Sequence, residues 1–208
     1  FFTEGARLLN LRAVDHFYNS RRIGAPPTAP ASGDYRDYPT STPILAAAKL
    51  TGRLASGTSI GMLAAMTDEE FARTASRGSP LVGSVRVLPR VSYGLARVQQ
   101  EFGQSASTAS LMVTAMHRHL DKADPLAALM ARSAFAVSHD GLLRFRGGRY
   151  QLTTFGGVTF VNGEAAAIER TQRSAVRYLQ RPDKDYAILD ATRTSLPGYK
   201  FGGGLERT

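Results

Sequence analysis

The chain has 208 residues, enough for one domain with its own core. It contains no Cys, which excludes disulfides and thiolate metal sites, and no run of about 18 apolar residues, which excludes a membrane-spanning helix. The net charge of +9 comes mostly from Arg residues spread singly from Arg7 to Arg207, which argues against nucleic acid and for an anionic surface or acidic ligand.

In chain order, a first short strand is predicted at 12–18. Residues 25–43, "APPTAPASGDYRDYPTSTP", are rich in Pro and polar residues and read as a long loop. Strands follow at 43–54, 58–66, 82–102 (with an interruption at Pro89), 106–118, 133–146, 149–161, 175–181 and 198–207. Apolar and polar residues alternate along several of them. Ala48, Leu50 and Leu54 oppose Lys49, Thr51 and Arg53; Leu143 and Phe145 oppose Arg144 and Arg146; Tyr199, Phe201 and Leu205 oppose Lys200 and Glu206. Gly-containing turns at 55–57, 103–105 and 147–148 join neighbouring runs as hairpins. Two short helical segments interrupt the pattern. "DPLAALMAR" has Asp124 as N-cap and Pro125 at the first helical position; "GEAAAIERTQR" (163–173) pairs Glu169 with Arg173. The expected fold is all-β, antiparallel and hairpin-connected. A soluble sandwich and a transmembrane barrel both produce this alternation, and periodicity leaves the two open. The chain starts at Phe1 rather than Met and stops within a strand-like run, so it reads as a fragment of a longer protein.

Several stretches together resemble one family: "FFTEG" (1–5), "FYNSRRIGAPP" (17–27), "ILAAAKLTGRLASGTSIGMLAAMT" (44–67), "YGLARVQQEFGQSASTASLMVTAMHR" (93–118), "AVRYLQRPD" (175–183) and "DATRTSLPGYKFGGGL" (190–205). They resemble the domain of unknown function 5916. The resemblance runs in order over nearly the whole chain. It implies a barrel-like domain of outer-membrane type, lying C-terminal to a family-9-type carbohydrate-binding module in long secreted proteins of Gram-negative bacteria. That module is absent from 1–208. The implied setting is the cell outer membrane, with membrane lipid and a saccharide or anionic ligand as partners. The association with carbohydrate catabolism comes from the module, and no residue here supports a hydrolytic mechanism.

Gly57-Thr58-Ser59-Ile60-Gly61 matches the G-x-S-x-G nucleophile elbow. An elbow needs an apolar strand before it and a helix after it. Here strand-like runs flank it on both sides, so the reading is a hairpin turn. His117 and His119 share a strand face and, with Asp121 and Asp124, have the residue types of a metal site, but no third ligand is fixed by spacing. Asp68, Glu69 and Glu70 read as a solvated acidic loop. Asp190, Arg193 and Thr194 read as a polar turn before the last strand. There is no phosphate loop, H-E-x-x-H or dinucleotide fingerprint, so no catalytic constellation, metal or cofactor is predicted. Arg21 and Arg22 fit a carboxylate clamp or a strand end at lipid headgroups equally well. Lys49, Arg53, Arg97, Gln99, Arg144 and Arg146 line the interior of a barrel, or one wet face of a sandwich. The candidate ligand-binding set is therefore Arg21, Arg22, Lys49, Arg53, Arg97, Arg144, Arg146 and Arg193. The expected function is a membrane-embedded scaffold or pore segment of a carbohydrate-binding outer-membrane protein. The alternative is a soluble β-sandwich accessory domain, periplasmic or secreted, of a polysaccharide-acting hydrolase.

Overall fold

The computed structural model describes residues 20–78, 82–177, 179–181, 183, 185 and 188–207. These contain strands β1 (Tyr35–Asp37), β2 (Ile44–Arg53), β3 (Thr58–Thr67), β4 (Glu70–Ala75), β5 (Val82–Leu88), β6 (Val91–Phe102), β7 (Ser107–Arg118), β8 (Ser133–Phe145), β9 (Tyr150–Asn162) and β10 (Ser195–Arg207). One helix, α1 (Ala165–Arg173), and the 3-10 turn Pro125–Ala128 lie between strands, and a second 3-10 turn, Ser20–Arg22, precedes β1.

All pairing is antiparallel, as the hairpin pattern predicts. Seven strands form one sheet in the order β10-β9-β8-β7-β6-β3-β2, and β1-β4-β5 form a second, small sheet. Chain neighbours are spatial neighbours throughout the large sheet, except that β4 and β5 leave it between β3 and β6. Among the described residues β2 and β10 each pair on one side only, so the sheet is not a closed barrel.

The connections are segregated by length. The β2–β3, β6–β7 and β8–β9 turns occupy 54–57, 103–106 and 146–149 and share one end of the sheet. Gly57 explains why the first is tight: its φ is +81°, and a Cβ there stands 3.0 Å from the carbonyl oxygen of Glu101. Its N–H donates to Leu54 O, and its own carbonyl accepts from Glu101 N–H. At the other end lie the long connections: 68–90 with the small sheet, 119–132, and 163–194 with α1.

The sheet curls. β3 and β9 are four strand steps apart, roughly 19 Å in a flat sheet, yet Leu63 and Thr67 of β3 line the same cavity as Thr159 and Val161 of β9. Ile23 from the leading segment packs there against Leu63, Ala65, Leu95, Met112 and Tyr93. A separate core at the long-loop end joins Ala29, Ala31, Ala72, Val87, Leu120 and Leu126, seating the small sheet on the neighbouring loops.

Several boundaries differ from the sequence expectation. The run 82–102 is interrupted at Pro89 as expected and makes two strands, because Pro89 has no N–H to donate and the chain leaves β4 there to join β3. The long loop 25–43 contains β1, and the acidic stretch after Thr67 opens β4, where Ala72 and Thr74 are buried and Phe71 and Arg73 exposed. Residues 175–181 are not a strand in their described part: Arg177 N–H bonds back to Ser174 O and Leu179 N–H to Gln172 O, which folds the backbone into turns. "DPLAALMAR" is only a 3-10 turn, although Asp124 does cap it by accepting from Leu126 N–H at 3.0 Å. The strand expected at 12–18 lies outside the described residues.

Candidate functional site

Cross-strand register assigns each side chain of the large sheet to a face. Thr51, Gly61, Arg97, Met112, Ser138, Gly157 and Lys200 are successive neighbours on one side. One residue along, Leu50, Met62, Ala96, Val113, Val137, Val158 and Tyr199 are successive neighbours on the other. The same division holds for charge. Lys49, Arg53, Arg97, Glu101, Arg118, Asp140, Arg144, Lys200 and Glu206 all share the first face, and Arg207, at the last position of β10, is the one Asp, Glu, Lys or Arg on the second.

Burial is inverted relative to a soluble half-buried sheet. The apolar face is the exposed one: Leu50 is 63% accessible, Leu111 54% and Phe201 63%. Aromatic side chains of this face gather toward both strand ends, with Phe102, Phe145 and Tyr150 near the short turns and Phe135, Phe160 and Tyr199 toward the long loops. Phe145 and Tyr150 stack at 5.5 Å. Phe201 lies over Gly156, where a Cβ would collide with its ring.

The polar face carries a buried network. Arg97 Nη2 donates to Asp140 Oδ1 at 2.7 Å and to Gln99 Oε1 at 3.1 Å, and the Ser110 hydroxyl donates to the same Asp140 oxygen. Arg97 and Asp140 are 1% and 4% exposed, so the charges are removed from water together. Lys200 sits over the Phe155 ring at 5.8 Å. Arg144 donates to the Ser105 and Ala106 carbonyls and ties the β6–β7 turn to β8. Arg53 pairs with Glu101 at 3.0 Å near the same end.

The structure thus brings Lys49, Arg53, Arg97, Gln99 and Arg144 onto one face. Arg146 is not on it: the residue stands in the β8–β9 turn with φ +52°, its guanidinium 5.9 Å from the Tyr150 ring centre. Arg21 and Arg22 lie in the 3-10 turn at the long-loop end. Arg193 is in the β9–β10 connection, its Nε 3.3 Å from Asp190 Oδ2. Asp190 also accepts from the hydroxyl and N–H of Thr192, and these bonds hold its carboxyl below the usual carboxylate range.

Ser59 is inside β3, buried, with Arg53 and Gln99 as its direct neighbours on the same face. The strand continues through Gly61, so the elbow's strand–turn–helix context is missing. His119 Nε2 is 2.9 Å from the Ser92 hydroxyl, and no group of three candidate metal ligands forms among the described residues. The acidic stretch is paired rather than merely solvated: Asp68 with Arg90 at 3.1 Å, Glu69 with Arg86 at 3.3 Å. The Arg90 hydrogen bond, then the Glu69 N–H, hold the Asp68 carboxyl low. Sequence reasoning missed Asp140 and Arg118, which sit in runs of mixed residues whose face only the register defines.

No curated protein and no solved structure matches the chain. The family described as "Domain of unknown function (DUF5916)" matches residues 1–133. With the matched segment running from the leading residues to the start of β8, the chain belongs to the DUF5916 family.

Proposed function

We propose that the seven-stranded sheet is part of the wall of an outer-membrane β-barrel, serving as a membrane-embedded scaffold or pore segment. The segregation of charge carries this reading: nine charged residues on the polar face against Arg207 alone, at a strand end, on the exposed apolar face. In water, leaving so many large apolar side chains exposed is unfavourable by about 25 cal/mol per Å² of apolar surface. In a bilayer the same face is solvated by lipid chains, and the charged face turns to the interior. Strands of 10 to 13 residues reach the roughly nine to eleven that a tilted spanning strand needs. Short turns at one end and long loops at the other, with aromatic residues toward both, follow the outer-membrane pattern.

A bilayer tolerates no open sheet edge, so this reading requires β2 and β10 to meet further strands. A soluble sandwich requires a second sheet over the apolar face; the small sheet instead packs on the loops, through Ala72 and Val87. In the proposed arrangement the barrel holds a carbohydrate-recognising domain at the membrane, a role that rests on the family resemblance and on no residue of this chain. Fractionation of cells expressing the protein tests the reading. An outer-membrane band whose gel migration changes on boiling supports it; a soluble protein with no such change refutes it.

A further inference from the structure

A cavity of about 460 Å³ opens at the long-loop end of the polar face. Arg22, Arg118 and Arg177 line it, from the leading segment, the end of β7 and the loop after α1. No Asp or Glu is among its described lining residues. Three guanidinium groups around one cavity, with no carboxylate among the described residues that line it, favour a bound anion. Two buried polar atoms also lack partners. Arg118 spends Nη1 on the Ala131 carbonyl at 2.6 Å, while its Nε is buried without a hydrogen bond. Thr67, 1% exposed, has its hydroxyl buried and unbonded. Both residues flank Val91 on the same face, and both line the cavity. Buried donors left without partners are unfavourable, so an acceptor reaching this wall is favoured. Tyr93 stands on the same wall, within electrostatic reach of both Arg118 and Arg22.

We propose that this cavity binds a small organic oxyanion, its carboxylate or phosphate received by Arg118 and Arg22 and its hydroxyl-bearing body by Tyr93. Arg177, on the loop after α1, lines the same cavity and adds a third positive charge. The site belongs to the polar face whatever solvates the other face, so it stands or falls independently of membrane insertion.

The test is calorimetric titration of the protein as purified from the expressing cells, in detergent where it is membrane-bound, with three probes that share one hexose ring: glucuronate, glucose 6-phosphate and glucose. At least one charged probe binds and glucose does not; which charged probe binds identifies the anion. Arg118→Gln weakens binding at least tenfold, with thermal unfolding reporting whether the variant folds. Arg177→Gln, a loop change that leaves the sheet intact, weakens it several-fold. Arg173→Gln removes the same charge on α1, outside the cavity, and leaves affinity unchanged. The proposal is overturned if neither charged probe binds, if glucose binds as tightly, or if Arg173→Gln weakens binding as much as Arg177→Gln.

Discussion

Arg97 on β6 and Asp140 on β8 form an ion pair across the intervening β7, 2.7 Å between Nη2 and Oδ1 with both side chains shielded from solvent. The pair spans a strand because Ser110 of β7 stands directly opposite Asp140 and is small enough to let Arg97 pass and to join the network. Removing one partner leaves a buried charge unmatched. Asp140→Leu is expected to destabilise the fold by about 3–5 kcal/mol, and the double change Arg97→Met with Asp140→Leu by much less. Urea unfolding of the two single variants and the double variant measures the difference.

Leu111 lies near the middle of β7 on the exposed apolar face. In lipid, Leu111→Arg costs about 2–4 kcal/mol. In water a surface substitution of this kind falls within about 0.5 kcal/mol. Unfolding of the variant from phospholipid vesicles separates these values.

Asp124 has two roles at once: it caps the 3-10 turn Pro125–Ala128 and pairs with Arg86 of β5, which also reaches Glu69. Burial works to lower the Arg86 pKa, but the hydrogen bonds to Asp124 and Glu69 outweigh it and the net shift is upward. Asp124→Ala therefore loosens the cap and the small sheet together, by about 1–2 kcal/mol. Arg86→Ala leaves the cap intact but strands the Asp124 carboxylate, 7% exposed, without its cation, so it loosens the small sheet more than the cap. Hydrogen exchange in 82–88 and 125–130 reports both.

The Asp190 carboxyl titrates below its ordinary value because of Thr192, through its hydroxyl first and then its N–H. A lowered folded pKa contributes stability above the unfolded value of about 3.9 that is lost as pH falls through the folded value. Acid therefore opens the 190–193 turn. It does not release the turn from α1, because Gln172 holds Asp190 through backbone atoms, at 2.7 and 3.0 Å. Thr192→Val should return the Asp190 pKa toward the ordinary range, read by carboxyl NMR titration.

Alternation made the strands legible wherever neighbouring residues differ in kind. Lys49 against Leu50 and Lys200 against Tyr199 are opposed in the structure as the pattern requires. It failed where the strand is short or the contrast weak: β1 hides in a Pro-rich loop, and β4 begins at the last of three acids. The helical pattern of "DPLAALMAR" identified its cap but overstated its length, because Leu126 and Ala127 are drawn into the core at the long-loop end. Which face is exposed was not legible at all. It depends on what packs over the sheet, and no local pattern encodes that. Arg146 illustrates the limit residue by residue: it alternates correctly with Phe145, yet the turn begins there and carries it off the face.

The membrane reading requires the apolar face to meet lipid. The chain has no Cys, so single-cysteine variants can be labelled cleanly. Leu111→Cys and Thr114→Cys place a fluorophore on the apolar and polar faces of the same strand. In vesicles containing spin-labelled phospholipid, a lipid-facing sheet gives strong quenching at position 111 and little at 114. Equal, weak quenching at both positions would contradict it.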